Sequence, residues 1–280
     1  MQAFWFSLLV NSAFFIADIF IKLGSRELSA GRLVYIRSLF SVLLAGIWLL
    51  ASGNFYPLPS VTVTLQLIGC SILCAIGLFT YVKALQQIHF VNVSVIGISG
   101  ALIHYVLGIL LFDEKANPWF YLAAVICISG IVIQWRKGNQ RQGLIYAVIS
   151  AITWGFGYAL LSVPLQNTNA IWGTWIMEFC ILILSAVFLF FADRKFNLFK
   201  PGLLKLNLFL VALFTILGSY LINICYQQFS LNILGFMQLA FFPYSLFAGY
   251  FIFKEKLSKI EWQGNLMIVA GLVLYFFTCT

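Results

Sequence analysis

Ten apolar segments of about 20 residues each take up most of the chain, and they limit the folds open to it. They cover residues 3–23, 31–52, 62–84, 91–112, 118–135, 143–163, 171–192, 203–226, 235–253 and 262–279, and we number them one to ten. A helix of that length spans the roughly 30 Å hydrocarbon core of a bilayer. The links between the segments are too short to form an extramembrane domain. The sequence therefore predicts an all-α polytopic membrane protein with ten transmembrane helices.

The composition argues against the soluble classes of protein. Of the 280 residues, 62% are hydrophobic and 9% are charged, which leaves too little polar surface for a soluble domain. The first segment follows Met1 without a basic stretch, so we interpret it as a spanning helix and not a cleaved signal. We find no Gly-rich phosphate loop, no catalytic Ser-His-Asp or Cys-His set and no cluster of metal ligands. We therefore expect no enzyme activity, no cofactor and no metal site.

The second half of the sequence repeats the first at a constant offset of 141 residues. The matches include Gly77 with Gly218, Gln86-Gln87 with Gln227-Gln228, and Phe112-x-Glu114-Lys115 with Phe253-x-Glu255-Lys256. Each copy holds five segments, and because five is odd the second copy enters the membrane from the opposite side. We predict one integral membrane unit built from a five-helix repeat at 1–138 and a second at 139–280. Inverted repeats of this kind are common in secondary transporters, whose substrate site lies near the midplane between the halves.

Basic residues are concentrated on one side of the predicted membrane protein. The odd-numbered links and the helix ends beside them carry thirteen Lys and Arg residues, whereas the even-numbered links and both termini carry only Lys115. Positive charge in short loops marks the cytoplasmic side. The count therefore predicts cytoplasmic odd-numbered links and both termini outside. The net charge of +8 arises in short links, so we expect lipid and not nucleic acid as the large partner.

The chain resembles the ten-helix drug/metabolite transporter superfamily, and within it the EamA type. The resemblance rests on the two Phe-x-Glu-Lys motifs with their following Gly-rich helices, on Arg37 in segment two, and on Trp154-Gly155-Phe156 in segment six. It covers the whole chain. It implies a central cavity lined mainly by segments one, three, four, six, eight and nine, with segments five and ten at the periphery. It also implies cytoplasmic termini, opposite to the charge count, and says little about the substrate.

Arg37 lies about two turns inside segment two, where a charged side chain needs a partner or a wet cavity. Segments one and two form a hairpin, and Asp18 and Arg37 are symmetric about its turn. We therefore predict an Asp18–Arg37 pair, either as a static ion pair or as a pair that a substrate charge or a proton opens. Lys22 follows Asp18 by four residues and can share it or extend to the interface.

Glu178 occupies the position of Arg37 in the second repeat. Inversion places it near the opposite membrane face, so direct pairing with Arg37 is not expected for straight helices. His104 is the candidate partner at matching depth. Glu178 and His104 are therefore a candidate protonation site, with a hydrogen-bonded neutral Glu178 and a satisfied core His104 as the alternative.

Aromatic and polar side chains inside the segments supply the other candidates for a substrate cavity. Tyr81, Trp154, Tyr158, Trp175 and Tyr244 can stack on a flat or cationic substrate, or they can simply pack between helices. Asn223 and Gln238 need polar partners in a dry core. The complete set of candidate substrate-binding residues is Asp18, Arg37, Tyr81, His104, Trp154, Tyr158, Trp175, Glu178, Asn223, Gln238 and Tyr244.

One backbone feature differs between the repeats. Pro243 in segment nine removes a helical N–H and should kink the helix, whereas its repeat equivalent is Leu102. The two halves are therefore not expected to be functionally identical.

The predicted function is secondary-active transport of a small polar or zwitterionic metabolite, amino-acid-like in character. Transport would proceed across the cytoplasmic membrane by alternating access, with a proton as the candidate coupling ion. The mixture of Asp18, Arg37 and Glu178 with aromatic walls favours a zwitterion. The alternative is a multidrug or organic-cation exporter that uses Glu178 as its acid. Both a monomer and a homodimer fit the sequence.

Overall fold

The fold is described from a computed structural model that covers residues 2–53, 57–115, 117–136, 140–192 and 206–279. Helices account for nearly all of these ranges. In chain order they are α1 (Gln2–Gly24), α2 (Ala30–Ala51), α3 (Val61–Gln87), α4 (Phe90–Ile98), α5 (Ala101–Phe112), α6 (Trp119–Trp135), α7 (Arg141–Leu165), α8 (Ala170–Ala192), α9 (Leu206–Gln228), α10 (Leu231–Leu239), α11 (Phe241–Phe247), a π-helical turn (Ala248–Ile252) and α12 (Lys259–Cys279).

The helices of the described residues are those of a multi-pass membrane protein. Nine helical stretches are long and apolar enough to cross a bilayer, with α4–α5 and α10–α11 each counted as one stretch. The remaining segment, segment five, is α6, which is apolar but only 17 residues long, or about 26 Å at 1.5 Å per residue. The predicted all-α polytopic fold is confirmed, and α6 completes the predicted set of ten.

The fourth and ninth segments are interrupted at equivalent positions. In the first repeat the helix breaks at Ser99 and Gly100, between α4 and α5. In the second repeat it breaks at Ala240, between α10 and α11, and 99 plus 141 is 240. Pro243 lies inside α11 and not at the break. Both repeats are therefore interrupted at equivalent positions, and the first repeat breaks without a proline.

The principal helix contacts join one repeat to the other. Helix α3 packs on α7, and the equivalent pair α9 and α1 packs in the same way. Helix α5 packs on α10, as α11 does on α4, while α2 packs on α8 and α6 on α12. The two repeats are thus interlocked and form one unit. This pattern follows from helices that are apolar on nearly all sides, since such helices can bury any face against a neighbour.

The repeated Phe-x-Glu-Lys motif ties the two repeats together at both ends of the molecule. The Glu114 carboxylate accepts hydrogen bonds from the backbone N–H groups of Leu231 (2.9 Å) and Asn232 (3.3 Å), which begin α10. The Glu255 carboxylate accepts the same bonds from the first residues of α4, at 2.6 and 3.3 Å. A carboxylate at a helix N-terminus satisfies unpaired N–H groups and complements the helix dipole.

Glycine is required where each of these glutamates folds back against the helical stretch that precedes it. A Cβ atom on Gly108 would lie 2.8 Å from the carboxylate of Glu114, and one on Gly249 would lie 2.2 Å from Val91. The residues preceding the two glutamates, Asp113 and Lys254, both adopt positive φ angles of 51° and 54°. The two turns are therefore built in the same way, and they confirm that equivalent residues of the two repeats lie at opposite ends of the molecule.

Candidate functional site

A central cavity lies between the two repeats and offers about 190 Å³ to the centres of water-sized molecules. Helices α1, α3, α7 and α9 and both interrupted segments contribute to its walls, together with α2 and α8. No residue of α6 or α12 is among its lining residues within the described ranges. One water needs only about 10–15 Å³ on this measure, so the cavity has room for a small metabolite.

Arg37 and Glu178 form a two-pronged ion pair in the cavity wall. Arg37 Nη1 donates to Glu178 Oε2 at 2.7 Å, and Nη2 donates to Oε1 at 2.8 Å. The exposed fractions of the two side chains are 3% and 0%. Parallel N–H···O bonds of this kind are the strongest arrangement of the two groups. The prediction that Glu178 is too far from Arg37 to pair is therefore wrong.

The error came from the depth assigned to the two residues. Arg37 lies seven residues after the first residue of α2, and Glu178 eight residues after that of α8. Since these helices have 22 and 23 residues, each position is within about 5 Å of the helix midpoint. Two long side chains cover the remaining difference in height. Helix α2 also packs directly on α8, which brings the pair together.

The ion pair lies on the axis that relates the two repeats. Exchange of the repeats carries residue i onto residue i + 141, and Arg37 and Glu178 are 141 residues apart. Two residues that map onto each other can touch only at the axis. Cys127 Sγ donates to the Ile268 carbonyl at 3.3 Å, and this pair is also 141 residues apart. In an inverted repeat the axis lies in the membrane plane, so both contacts mark the midplane.

Asp18 faces the same cavity but does not pair with Arg37. Its Oδ2 atom accepts a hydrogen bond of 2.7 Å from the Tyr81 hydroxyl. Arg37 acts on it only as a charge at longer range, because α1 packs mainly on α9 and α2 mainly on α8. The predicted Asp18–Arg37 pair is therefore wrong. Lys22 does not share Asp18 either, since its Nζ donates to the carbonyls of Leu85 and Ile88.

Seven of the eleven candidate residues line the cavity, and six aromatic side chains form much of its wall. The candidates in the wall are Asp18, Arg37, Tyr81, Trp154, Tyr158, Glu178 and Gln238. The rings of Trp154 and Tyr81 lie 4.9 Å apart, and Trp154 Nε1 donates to the Cys74 carbonyl at 3.1 Å. Contact of these seven residues with a substrate stays a prediction.

His104 lies outside the cavity and away from Glu178. Its Nε2 atom is 2.6 Å from the Tyr226 hydroxyl, and its Nδ1 atom is 3.3 Å from the Gly100 carbonyl. The side chain is buried and both ring nitrogens have partners. The proposed Glu178–His104 protonation site is therefore wrong, and the alternative of a satisfied core histidine describes the structure.

Three further candidates also contribute to helix packing and not to the cavity wall. Trp175 stacks on Phe179, with ring centroids 5.2 Å apart. The Asn223 side chain donates to Thr174 Oγ1 at 3.0 Å and joins α9 to α8. The Tyr244 hydroxyl lies 2.9 Å from Ser12 Oγ.

Several residues of the cavity wall were not among the candidates. Apolar or aromatic members are Phe14, Leu78, Met177, Tyr226, Met237 and Phe241. The polar member Asn11 donates to the Met237 carbonyl at 2.9 Å, and Ser7 Oγ donates to the same carbonyl at 3.0 Å. This carbonyl lies three residues before the break at Ala240. Asn11 is a polar residue inside an apolar segment, and on that feature the sequence indicates it as one of the polar residues that could form a wet cavity.

The sequence pattern of the EamA-like transporter family matches residues 2–135 and, a second time, residues 141–277. The chain belongs to the EamA-like transporter family. A Bacillus subtilis (strain 168) protein described as "Uncharacterized transporter YojE" is 26% identical over 215 residues, or 76% of this chain and 71% of that protein. A protein of known crystal structure shares the fold with a TM-score of 0.67 at 14% identity. The match covers 98% of this chain and 96% of the other.

Family membership confirms the resemblance seen in the sequence. The two matched stretches also confirm the two-repeat architecture. The boundary predicted between residues 138 and 139 lies outside the described residues and stays a prediction. The chain is accordingly a multi-pass transporter of the EamA-like family.

Proposed function

We propose that the protein is a secondary-active carrier that moves a small amphipathic or zwitterionic metabolite across the cytoplasmic membrane by alternating access. The observation that carries the proposal is the position of the cavity. It lies between two inverted repeats, and an ion pair on their axis forms part of its wall. Carriers with inverted repeats bind their substrate at this place. A proton is the proposed coupling ion, and a small molecule and lipid are the proposed partners.

The walls of the cavity support a substrate with an apolar body and a few polar groups. Aromatic and aliphatic side chains make up most of the lining, and its charged members are Asp18, Arg37 and Glu178. Ligand sites are typically of this kind, with a few polar groups that fix orientation. An amino-acid-like zwitterion matches this mixture of charges, and the buried Arg37 Nε atom has no hydrogen-bond partner among the described residues.

The test is uptake into proteoliposomes, driven by a proton gradient, with labelled amino acids, amines and nucleotides. Two tryptophans provide a matched comparison, because Trp154 lines the cavity and Trp175 packs outside it. We expect Trp154→Ala to reduce uptake at least about tenfold, whereas Trp175→Ala retains uptake in the fraction of protein that folds. Equal losses in both variants, after correction for folded protein, would argue against the cavity as the transport site.

An organic-cation carrier is the second candidate, and one observation favours it. Both terminal nitrogens of Arg37 are held by Glu178, so among the described lining residues one carboxyl group, that of Asp18, has no oppositely charged partner. Phenylalanine and its decarboxylated analogue phenethylamine distinguish the candidates. A zwitterion carrier prefers phenylalanine, whereas a cation carrier transports phenethylamine at least as well.

A further inference from the structure

We infer that Asp18 is the subsite for an ammonium group of the substrate. The inference deepens the proposed function and rests on it. It begins from the charges of the cavity, whose lining residues include two carboxylates and one guanidinium among the described residues. Arg37 and Glu178 neutralise each other at 2.7 and 2.8 Å. Asp18 is left without an oppositely charged partner, and an ionised carboxylate in an apolar wall is costly unless a cation approaches it.

The hydrogen bonds of Asp18 leave one oxygen open to a ligand. Tyr81 donates to Oδ2 at 2.7 Å, whereas Oδ1 accepts no hydrogen bond from a described residue. The side chain is half-buried and belongs to the cavity wall. Tyr81 itself is 3% exposed and packs on Trp154. The carboxylate is therefore held through one oxygen, and its second oxygen has no hydrogen-bond donor among the described residues.

The surrounding rings suit an ammonium group with an apolar substituent. Trp154 and Tyr158 line the same cavity as Tyr81, and the Trp154 ring lies 4.9 Å from that of Tyr81. Ammonium groups are attracted to the faces of Trp and Tyr rings within about 6 Å. The nearby Lys22 does not compete, because its ammonium group is bound to backbone carbonyls at the end of α3.

The site is present once and is not part of the repeated framework. The repeat equivalent of Asp18 is Ala159, and that of Tyr81 is Ile222. The second repeat thus reaches the same helix packing with apolar side chains at both positions. Since the fold does not need a carboxylate here, the charge of Asp18 is best explained by a ligand.

The experiment measures the affinity of the purified full-length protein for three probes that share one phenyl group. Phenethylamine carries only the ammonium group, 3-phenylpropionate only the carboxylate, and phenylalanine both. Quenching of tryptophan fluorescence reports binding, because Trp154 lies in the cavity wall. We expect phenethylamine to bind at least about tenfold more tightly than 3-phenylpropionate, and Asp18→Asn to remove that preference.

Asp113→Asn is the matched control, because Asp113 is exposed in the link after α5 and has a positive φ angle that asparagine tolerates. This variant should bind all three probes like the parent protein. Asp18→Asn should also melt at the parent temperature or above it, because it removes a charge with one neutral partner. Loss of phenethylamine binding together with a lowered melting temperature would indicate a structural role and overturn the inference.

Two other results would overturn the inference, and they separate it from the proposed function. If Asp18→Asn binds phenethylamine as the parent does, the ammonium subsite is elsewhere. If the parent prefers 3-phenylpropionate or binds no amine, the substrate class is wrong. In either case proton-driven uptake of another metabolite that is lost in Trp154→Ala leaves the carrier function intact. Absence of uptake across the whole panel contradicts the carrier function itself.

Discussion

The two carboxylates of the cavity, Glu178 and Asp18, differ in their partners and in their relation to the repeat axis. Glu178 is 0% exposed and accepts two N–H groups from Arg37 on the axis. Asp18 is half-buried, lies off the axis and accepts one hydroxyl from Tyr81. Glu178 is thus paired with an opposite charge, whereas Asp18 has a neutral partner. The two carboxylates differ because their surroundings differ.

The repeat symmetry sharpens this difference. In an inverted-repeat carrier the inward- and outward-facing states arise when the two repeats exchange conformations. That exchange converts a contact between two residues into the contact between their repeat equivalents. The Arg37–Glu178 pair is converted into itself, so it fits both states. The Asp18–Tyr81 contact is converted into Ala159 with Ile222, which have no polar side-chain atoms. We therefore expect the ion pair to persist through transport and the Asp18 contact to belong to one state.

The largest expected effect comes from removal of one half of the ion pair. Arg37→Met or Glu178→Leu alone leaves a buried charge without its partner, which costs roughly 3–5 kcal/mol of unfolding free energy. The double variant replaces both charges with apolar groups and should recover most of that loss. Unfolding of the purified variants in detergent, analysed as a double-mutant cycle, measures the coupling.

The charge-reversed pair tests the position on the axis. Arg37→Glu combined with Glu178→Arg places the same two groups at exchanged, equivalent positions. We expect it to be more stable than either single reversal. A reversed pair no more stable than the single variants would show that the surroundings of the two positions are not equivalent.

An intermediate effect is expected for the carboxylates that join the repeats at their ends. Glu114→Gln and Glu255→Gln each weaken two hydrogen bonds to backbone N–H groups at a helix start. Each change should cost about 1–3 kcal/mol of unfolding free energy. Because the two sites are equivalent, the losses should agree within about 0.5 kcal/mol. A markedly larger loss at one site would show that the two equivalent contacts do not contribute equally to stability.

Much of the fold follows from the sequence, because length and hydropathy identify spanning helices and the offset of 141 identifies the repeat. The neighbours of each helix do not follow in the same way. Asp18 and Arg37 are symmetric about a hairpin turn, yet α1 packs on α9 and α2 on α8. Helices that are apolar all round give no sequence signal for the face that meets each neighbour. The repeat did identify position 178 as the equivalent of Arg37, and only the assumed depth argued against the pair.

The aromatic candidates also show that the sequence does not reveal which neighbour a side chain contacts. Trp154 and Trp175 both lie deep in apolar segments, and the sequence offers no distinction between them. Trp154 reaches the cavity because Gly77 on α3 leaves room for its indole ring, which a Cβ atom at that position would approach to 2.4 Å. Trp175 packs against Phe179 and α2 instead. The partner of each side chain depends on small residues of another helix, which lie far away in the sequence.

The smallest expected effect comes from removal of the hydroxyl that holds Asp18. This change tests whether Asp18 contributes less to stability than Glu178 does. Tyr81→Phe keeps the ring against Trp154 and deletes one hydrogen bond, and the released Oδ2 atom can bind water in the cavity. The loss should be about 1 kcal/mol or less. Tyr226→Phe is the comparison, because it leaves the buried His104 Nε2 atom without its partner and should cost about 1–3 kcal/mol. If Tyr81→Phe proves as costly as loss of the Arg37–Glu178 pair, Asp18 is locked into the framework and is not a group that exchanges partners.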